Sequence, residues 1–168
     1  WRFPEMLDYC YLVNPYFNRS KIIDEMQENF RVLVSEYPAG MAVNSQLASD
    51  CWNIKQEYII PGNGAAELIK ALMENLQGKV GVIRPTFEEY PNRLSDERVV
   101  AFVPNNESFR YNANDLIQFF GENKVENLLL INPDNPSGNF IPVDGIHQVA
   151  RWCEDNGVRF ILDESFVD

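Results

Sequence analysis

The chain has little of what most metal, redox and nucleic-acid sites require. It carries one histidine, His147, and three scattered cysteines, Cys10, Cys51 and Cys153, with no CxxC spacing. That leaves no His/Cys ligand set for a metal and no disulfide framework, so a reducing, cytoplasmic setting is the expectation. No apolar run approaches the ~18 residues that span a bilayer, and a membrane protein is not expected. Positive charge is scarce: 14 Lys and Arg stand against 25 Asp and Glu, a net charge of -11. Phosphate backbones need cationic neutralisation, so nucleic acid and anionic membranes are not expected partners. An anionic small molecule would have to be held by local donors. The first residues, Trp1-Arg2-Phe3-Pro4-Glu5, have neither an initiating Met nor a signal-peptide pattern, and the start reads as a cut or processed end.

What is present is an apolar fraction of 45%, enough for a globular core in a chain of 168 residues. Residues 1–40 read as an N-terminal arm and helix. Leu7 to Phe17 is an irregular, aromatic-rich stretch. Ser20 can cap a helix with Ile22, Ile23, Met26, Phe30, Leu33 and Val34 at helical spacing, ended by Tyr37-Pro38-Ala39-Gly40. A second helix is expected from Gln46 to Asn53. From Glu57 the pattern alternates. Strands are expected at Tyr58-Ile59-Ile60, Val80–Ile83, Val99–Val103, Leu128–Ile131 and Phe160–Leu162. Helices are expected at Ala65–Leu76, at Asp115–Phe120 capped by Asn114, and at Pro142–Asn156, with a helical turn from Phe87 to Leu94. Such repetition specifies an α/β fold: three layers, a mostly parallel sheet with helices on both faces, over residues 41–168. His147 falls on the surface of a helix in this reading.

Four motifs are expected to follow strands directly, at the sheet edge where such folds bind ligands. Gly62-Asn63-Gly64-Ala65-Ala66 joins a strand to a helix; it offers free N–H groups to a phosphate, or is a plain tight turn. It is neither GxGxxG, since Glu67 takes the third glycine position, nor a Walker loop, since no Gly-Lys-Ser/Thr follows. Phe87, after Pro85-Thr86, can stack on a flat ligand or pack in the core. Asn132-Pro133-Asp134-Asn135-Pro136-Ser137-Gly138 is a rigid turn whose amides can point at a ligand or satisfy their own backbone. Asp163, closing an apolar strand, needs a partner. A protonated pyridine nitrogen is one, nearby backbone N–H groups are another, and magnesium held with Glu164 and Asp168 is a third.

In this order the motifs resemble the fold-type-I pyridoxal phosphate enzymes of the class I/II aminotransferase family, nearest to its histidinol-phosphate aminotransferase and threonine-phosphate decarboxylase group. The resemblance runs from about Asn14 to the end. It implies pyridoxal 5'-phosphate as cofactor and an amino acid or amino acid phosphate as substrate. By it, Gly64, Ala65 and Ala66 bind the phosphate, Phe87 stacks on the ring, Asn135 bonds the ring hydroxyl and Asp163 bonds the ring nitrogen. Tyr37, in Glu-Tyr-Pro, matches a tyrosine lent to the neighbouring subunit's phosphate, which implies a homodimer. Asn14, in Asn-Pro, matches the arm that approaches the substrate. Two departures stand out. Phe166 replaces a tyrosine common in aminotransferases, as expected of the decarboxylase branch. None of Lys21, Lys55, Lys70, Lys79 and Lys124 matches the family's Schiff-base lysine, which lies downstream of this motif. The expectation is therefore a catalytically silent part of an aminotransferase. The alternatives are an amino acid phosphate decarboxylase, a lysine-free cofactor-binding or regulatory module, and a magnesium-dependent α/β enzyme.

Overall fold

A computed structural model describes residues 20–167. It divides into two compact units, with the boundary in sequence between Pro61 and Gly62.

The first unit is helical. α1 (Ser20–Glu28) and α2 (Phe30–Ser35) occupy the stretch where the spacing predicts one helix. The interruption is Asn29, at φ -99° and ψ 5°, whose side-chain amide donates to the carbonyl of Glu25 at 2.9 Å. Short polar side chains that bond the backbone compete with the helical ladder in this way. α3 (Met41–Trp52) starts five residues earlier than expected, with Gly40 as its N-cap. It ends at Asn53, in the left-handed conformation that asparagine tolerates (φ 53°). Ser45 is buried and accepts from the Gln56 amide at 3.0 Å.

The expected strand at 58–60 does not form. A 3-10 turn, Gln56–Tyr58, takes its place, and Tyr58 and Ile60 are 73% and 72% exposed. A strand is stabilised by a ladder partner and a buried face, and this three-residue apolar run has neither among the described residues.

The second unit contains the sheet. β1 (Val80–Ile83), β2 (Val99–Phe102), β3 (Asn127–Ile131) and β4 (Arg159–Asp163) lie in the order β2-β1-β3-β4, and every pairing is parallel. β1 and β3 are buried along their whole length, as strands covered on both faces must be. Alternate residues serve the two faces. Val80, Val82, Leu129 and Ile131 pack with Ile69, Met73 and Leu76 of α4 (Ala65–Asn75) and the residue after it. Ile83, Leu128 and Leu130 pack with Leu116 and Phe120 of α5 (Ala113–Glu122) and Val149 and Cys153 of α6 (Val143–Asp155). This is the three-layer α/β architecture that the alternation of periods predicts. Gly81 is what lets α5 sit so close: a Cβ there would lie 2.5 Å from the Phe120 ring.

Local signals account for most boundaries. Pro142 precedes α6, and Gly157, at φ 67°, follows it. α5 is capped by Asn112, not by Asn114. Asn112 Oδ1 accepts from the N–H groups of Asn114 and Asp115, and the Asp115 carboxylate accepts from Asn112 N–H at 2.8 Å. Asn112 is preferred because Asp115 stands three residues on and closes the reciprocal box. The expected helical turn after Phe87 is present as a turn at 88–90 and a 3-10 turn, Pro91–Arg93. His147 is exposed on α6, as expected.

Candidate functional site

Parallel pairing brings the carboxyl ends of β1, β3 and β4 to one edge, with Ile131 in register with Asp163. Three of the four motifs leave the sheet there. The fourth, around Gly64, follows the 3-10 turn and an extended segment rather than a strand. It reaches the same neighbourhood through α4, since Ile69 and Met73 share a core cluster with Tyr90 and Ile131.

Asp163 is the most heavily engaged residue at this edge. Its Oδ1 accepts from the N–H of Ser165 at 2.9 Å and from the Ser165 hydroxyl at 2.5 Å. Its Oδ2 accepts from the Tyr90 hydroxyl at 2.7 Å. Three donors leave one acceptor position on the carboxylate, which suits a protonated nitrogen, and among the described residues no group of three or more His, Cys, Asp or Glu side chains could hold a metal ion. Asp168, needed for the magnesium alternative, lies outside the described residues.

Tyr90 is 5% exposed. Burial, followed by the hydrogen bond and the negative charge of Asp163, pushes its phenol well above its ordinary value of 10.0. It therefore remains a donor at any working pH. The sequence suggests only that Tyr90 packs beside Phe87 or inward. It does both, with the Phe87 ring meeting it edge-on at 6.3 Å between centroids. Phe87 is 38% exposed, which leaves part of the ring open to a ligand.

The loop after β3 is fastened at both ends. Asn132 Oδ1 accepts from Ile141 N–H at 2.8 Å while its Nδ2 donates to Ile141 O at 3.1 Å, and Asn132 N–H donates to Asp163 O at 2.9 Å. Inside the loop the buried Asp134 accepts from the Ser137 hydroxyl. Its N–H donates to Asn139 O at 2.8 Å. Burial raises the Asp134 carboxyl above its ordinary value, and the Ser137 donors partly oppose that. Asn139 Nδ2 donates to Tyr111 O at 3.0 Å. These residues realise the expected self-satisfied turn. Asn135 differs: it is half-buried, and its side-chain amide has no hydrogen-bond partner among the described residues. The turn thus satisfies every buried amide while leaving Asn135 available to a ligand.

At the start of α4, Gly64 adopts φ 89° and ψ 165° as N-cap, with no side-chain cap. A positive φ of this kind favours glycine. Gly64, Ala65 and Ala66 are exposed, so the first-turn N–H groups face outward at the helix end that attracts anions. Glu67 accepts from Asn63 N–H at 2.7 Å and fixes the loop. Tyr37 belongs to the first unit and is fully exposed. Asn14 lies outside the described residues. Of the lysines in the second unit, Lys79 and Lys124 precede β1 and β3, at the opposite end of the sheet from Asp163.

Residues 27–168 match the family described as aminotransferase class I and II. The chain belongs to this family. Among relatives, the L-serine phosphate decarboxylase of Sulfurospirillum multivorans is 30% identical over 96% of this chain and 43% of its own length. A histidinol-phosphate aminotransferase of Ruminiclostridium cellulolyticum is 27% identical over 73% of this chain and 36% of its own. Among solved structures, a decarboxylase from Sulfurospirillum multivorans superposes with a TM-score of 0.80 at 29% identity, over 94% of this chain and 42% of that one. The histidinol-phosphate aminotransferase from Clostridium acetobutylicum gives 0.72 at 25% identity, over 95% and 47%. A pyridoxal phosphate-bound putative aminotransferase from Clostridium difficile shares the fold, with a TM-score of 0.64 at 20% identity over 85% and 40%. The chain spans less than half the length of these relatives. Membership of the aminotransferase class I and II family indicates pyridoxal 5'-phosphate as the cofactor. The donor set at this edge fits that group: outward N–H groups for an anion, a partly open ring, a free amide, and a carboxylate with room for one more donor.

Among the described residues no helix is long and apolar enough to cross a membrane.

Proposed function

We propose that the protein is a pyridoxal phosphate-dependent enzyme acting on a phosphorylated amino acid, by decarboxylation. The observation that carries the cofactor reading is the Asp163 carboxylate, held at the sheet edge by Tyr90 and Ser165 with one acceptor position left open. Its Oδ2 would accept a hydrogen bond from the protonated ring nitrogen and so keep that proton in place. The N–H groups of Gly64, Ala65 and Ala66 bind the phosphate, the open side of Phe87 covers the ring, and the Asn135 amide bonds the ring hydroxyl. Bound there, pyridoxal 5'-phosphate draws electrons from the bond broken at the substrate's α-carbon. Tyr37, fully exposed, serves a neighbouring subunit's phosphate in a homodimer, and Asn14 approaches the substrate. Residues 41–168 form part of the cofactor-binding domain.

Decarboxylation is favoured over transamination by two points. The relative that is 30% identical over 96% of this chain is an L-serine phosphate decarboxylase. Phe166, where aminotransferases commonly carry tyrosine, is 45% exposed and has no hydroxyl to offer the ring. Transamination is the second reading, supported by similarity to the histidinol-phosphate aminotransferases.

The test is to incubate the full-length protein with pyridoxal 5'-phosphate and L-serine phosphate or L-threonine phosphate. Release of carbon dioxide and the corresponding amine phosphate is expected. Transfer of the amino group to a 2-oxo acid, with no carbon dioxide, would replace decarboxylation by transamination.

A further inference from the structure

We propose that Tyr90 is a positioning residue for the cofactor-binding carboxylate: its hydroxyl locks Asp163 so that a single acceptor position, on Oδ2, faces the ring nitrogen. The proposal rests on the cofactor reading above and assigns a role to a residue outside the four motifs' expected binding set.

A carboxylate offers about four lone-pair positions on its two oxygens. Ser165 takes two on Oδ1 through its N–H and hydroxyl, and Tyr90 takes one on Oδ2. The remaining position belongs to Oδ2. Rotation about the Asp163 side chain would break bonds from two directions, because Ser165 lies two residues along the chain and Tyr90 lies across the sheet.

Tyr90 is itself held by packing. It is buried with Ile69, Met73, Val82, Leu129 and Ile131, and its ring meets Phe87 edge-on. A hydroxyl at that depth without a partner carries a desolvation cost, so the bond to Asp163 is retained when the site is empty. Tyr90 thus links the stacking residue and the carboxylate: one ring supports Phe87 on its edge and Asp163 at its tip.

The test uses the full-length protein and pyridoxal 5'-phosphate labelled with ¹⁵N in the ring. Tyr90→Phe keeps the ring and removes only the hydroxyl. Two readouts are taken: cofactor affinity by equilibrium dialysis, and the chemical shift of the bound ring nitrogen. Affinity about tenfold weaker is expected, because an Asp163 side chain released from Tyr90 must be ordered when the cofactor binds, a cost of roughly 1 kcal/mol. The nitrogen signal is expected to move toward that of the neutral ring, because Oδ2, relieved of the phenol, competes harder for the shared proton. In an Asp163→Asn background the same substitution is expected to change neither readout, since Tyr90 then has no carboxylate to position. If Tyr90→Phe does not fold, 3-fluorotyrosine at position 90, a stronger donor, is expected to move the nitrogen signal the opposite way. An unchanged nitrogen shift in either Tyr90 variant overturns the proposal, as does an equal loss of affinity with and without the Asp163 carboxylate. In both of those outcomes the unaltered protein still binds the cofactor and the functional reading stands. Failure of the unaltered protein to bind pyridoxal 5'-phosphate overturns the functional reading and this proposal together.

Discussion

Asn132 and Ile141 are joined by a pair of opposed hydrogen bonds, Ile141 N–H to Asn132 Oδ1 at 2.8 Å and Asn132 Nδ2 to Ile141 O at 3.1 Å. Both residues are buried, at 2% and 1% exposure. One side chain thereby closes the loop that presents Asn135, and it imitates a rung of sheet where no strand exists.

Asn132→Ala removes both bonds and strands two buried backbone groups. A loss of about 2–4 kcal/mol in unfolding free energy is expected, measured by urea denaturation. Amide exchange at residues 134–139 should accelerate more than exchange in β1. Uniform acceleration would show that the clamp is not local to the loop.

Asp134 gives a pH prediction. Its folded value lies above the ordinary 3.8, because burial disfavours the charge more than Ser137 restores it. A raised folded value means that its contribution to stability is complete below 3.8 and is lost as pH rises through the folded value. Asp134→Asn does not titrate. Its stability relative to the unaltered protein should increase from pH 3.5 to pH 7, read as the shift in urea midpoint at each pH. A difference independent of pH would remove Asp134 as the cause.

Gly81 and Phe120 give a packing prediction. A methyl at position 81 would lie 2.5 Å from the Phe120 ring, within a core that cannot dilate locally. Gly81→Ala is expected to cost about 1–3 kcal/mol, measured by thermal or chemical unfolding. Adding Phe120→Leu should cost less in the Gly81→Ala protein than in the unaltered one. Simple additivity would place the strain elsewhere.

Cys153 is buried, and burial lifts its thiol from the ordinary 9.0 to about 11. Thiolate is the reactive form, so native Cys153 should resist a disulfide reagent at pH 8. Its modification is expected to follow the unfolding rate in urea, while the exposed Cys51 reacts at once. Rapid labelling of Cys153 in the native protein would mean that α6 opens far more readily than its packing implies.

The parts of the fold legible in the sequence are those fixed by local chemistry. The apolar runs at Val80–Ile83 and Leu128–Ile131 became fully buried parallel strands, and Pro142 and Gly157 bracket α6. The α/β architecture was legible from the alternation of strand and helix periods, and the family and its cofactor from the resemblance carried by four short motifs, with which the family match over residues 27–168 agrees. What escaped was decided at a distance or by small competitions. Tyr58-Ile59-Ile60 has strand composition, but a strand also needs a partner, which composition does not encode. Asn112 and Asn114 are equally good caps on their own, and Asp115 decides between them. Asn29 looks like any polar helix residue until its amide bonds Glu25. The Tyr90–Asp163 bond spans 73 positions of chain, and no local pattern announces it.

Among the described strands β4 is the last in sequence and pairs with β3 alone. During synthesis, therefore, β1, β2 and β3 with α4 and α5 are available to assemble before Asp163 leaves the ribosome. At ~5–20 residues per second, the stretch from Asn132 to Asp163 occupies a few seconds. Over that interval the nascent chain holds Tyr90 with its acceptor still unmade. A product arrested within it carries β1, β2 and β3 and lacks the carboxylate, so it has no Asp163 through which to engage a cofactor.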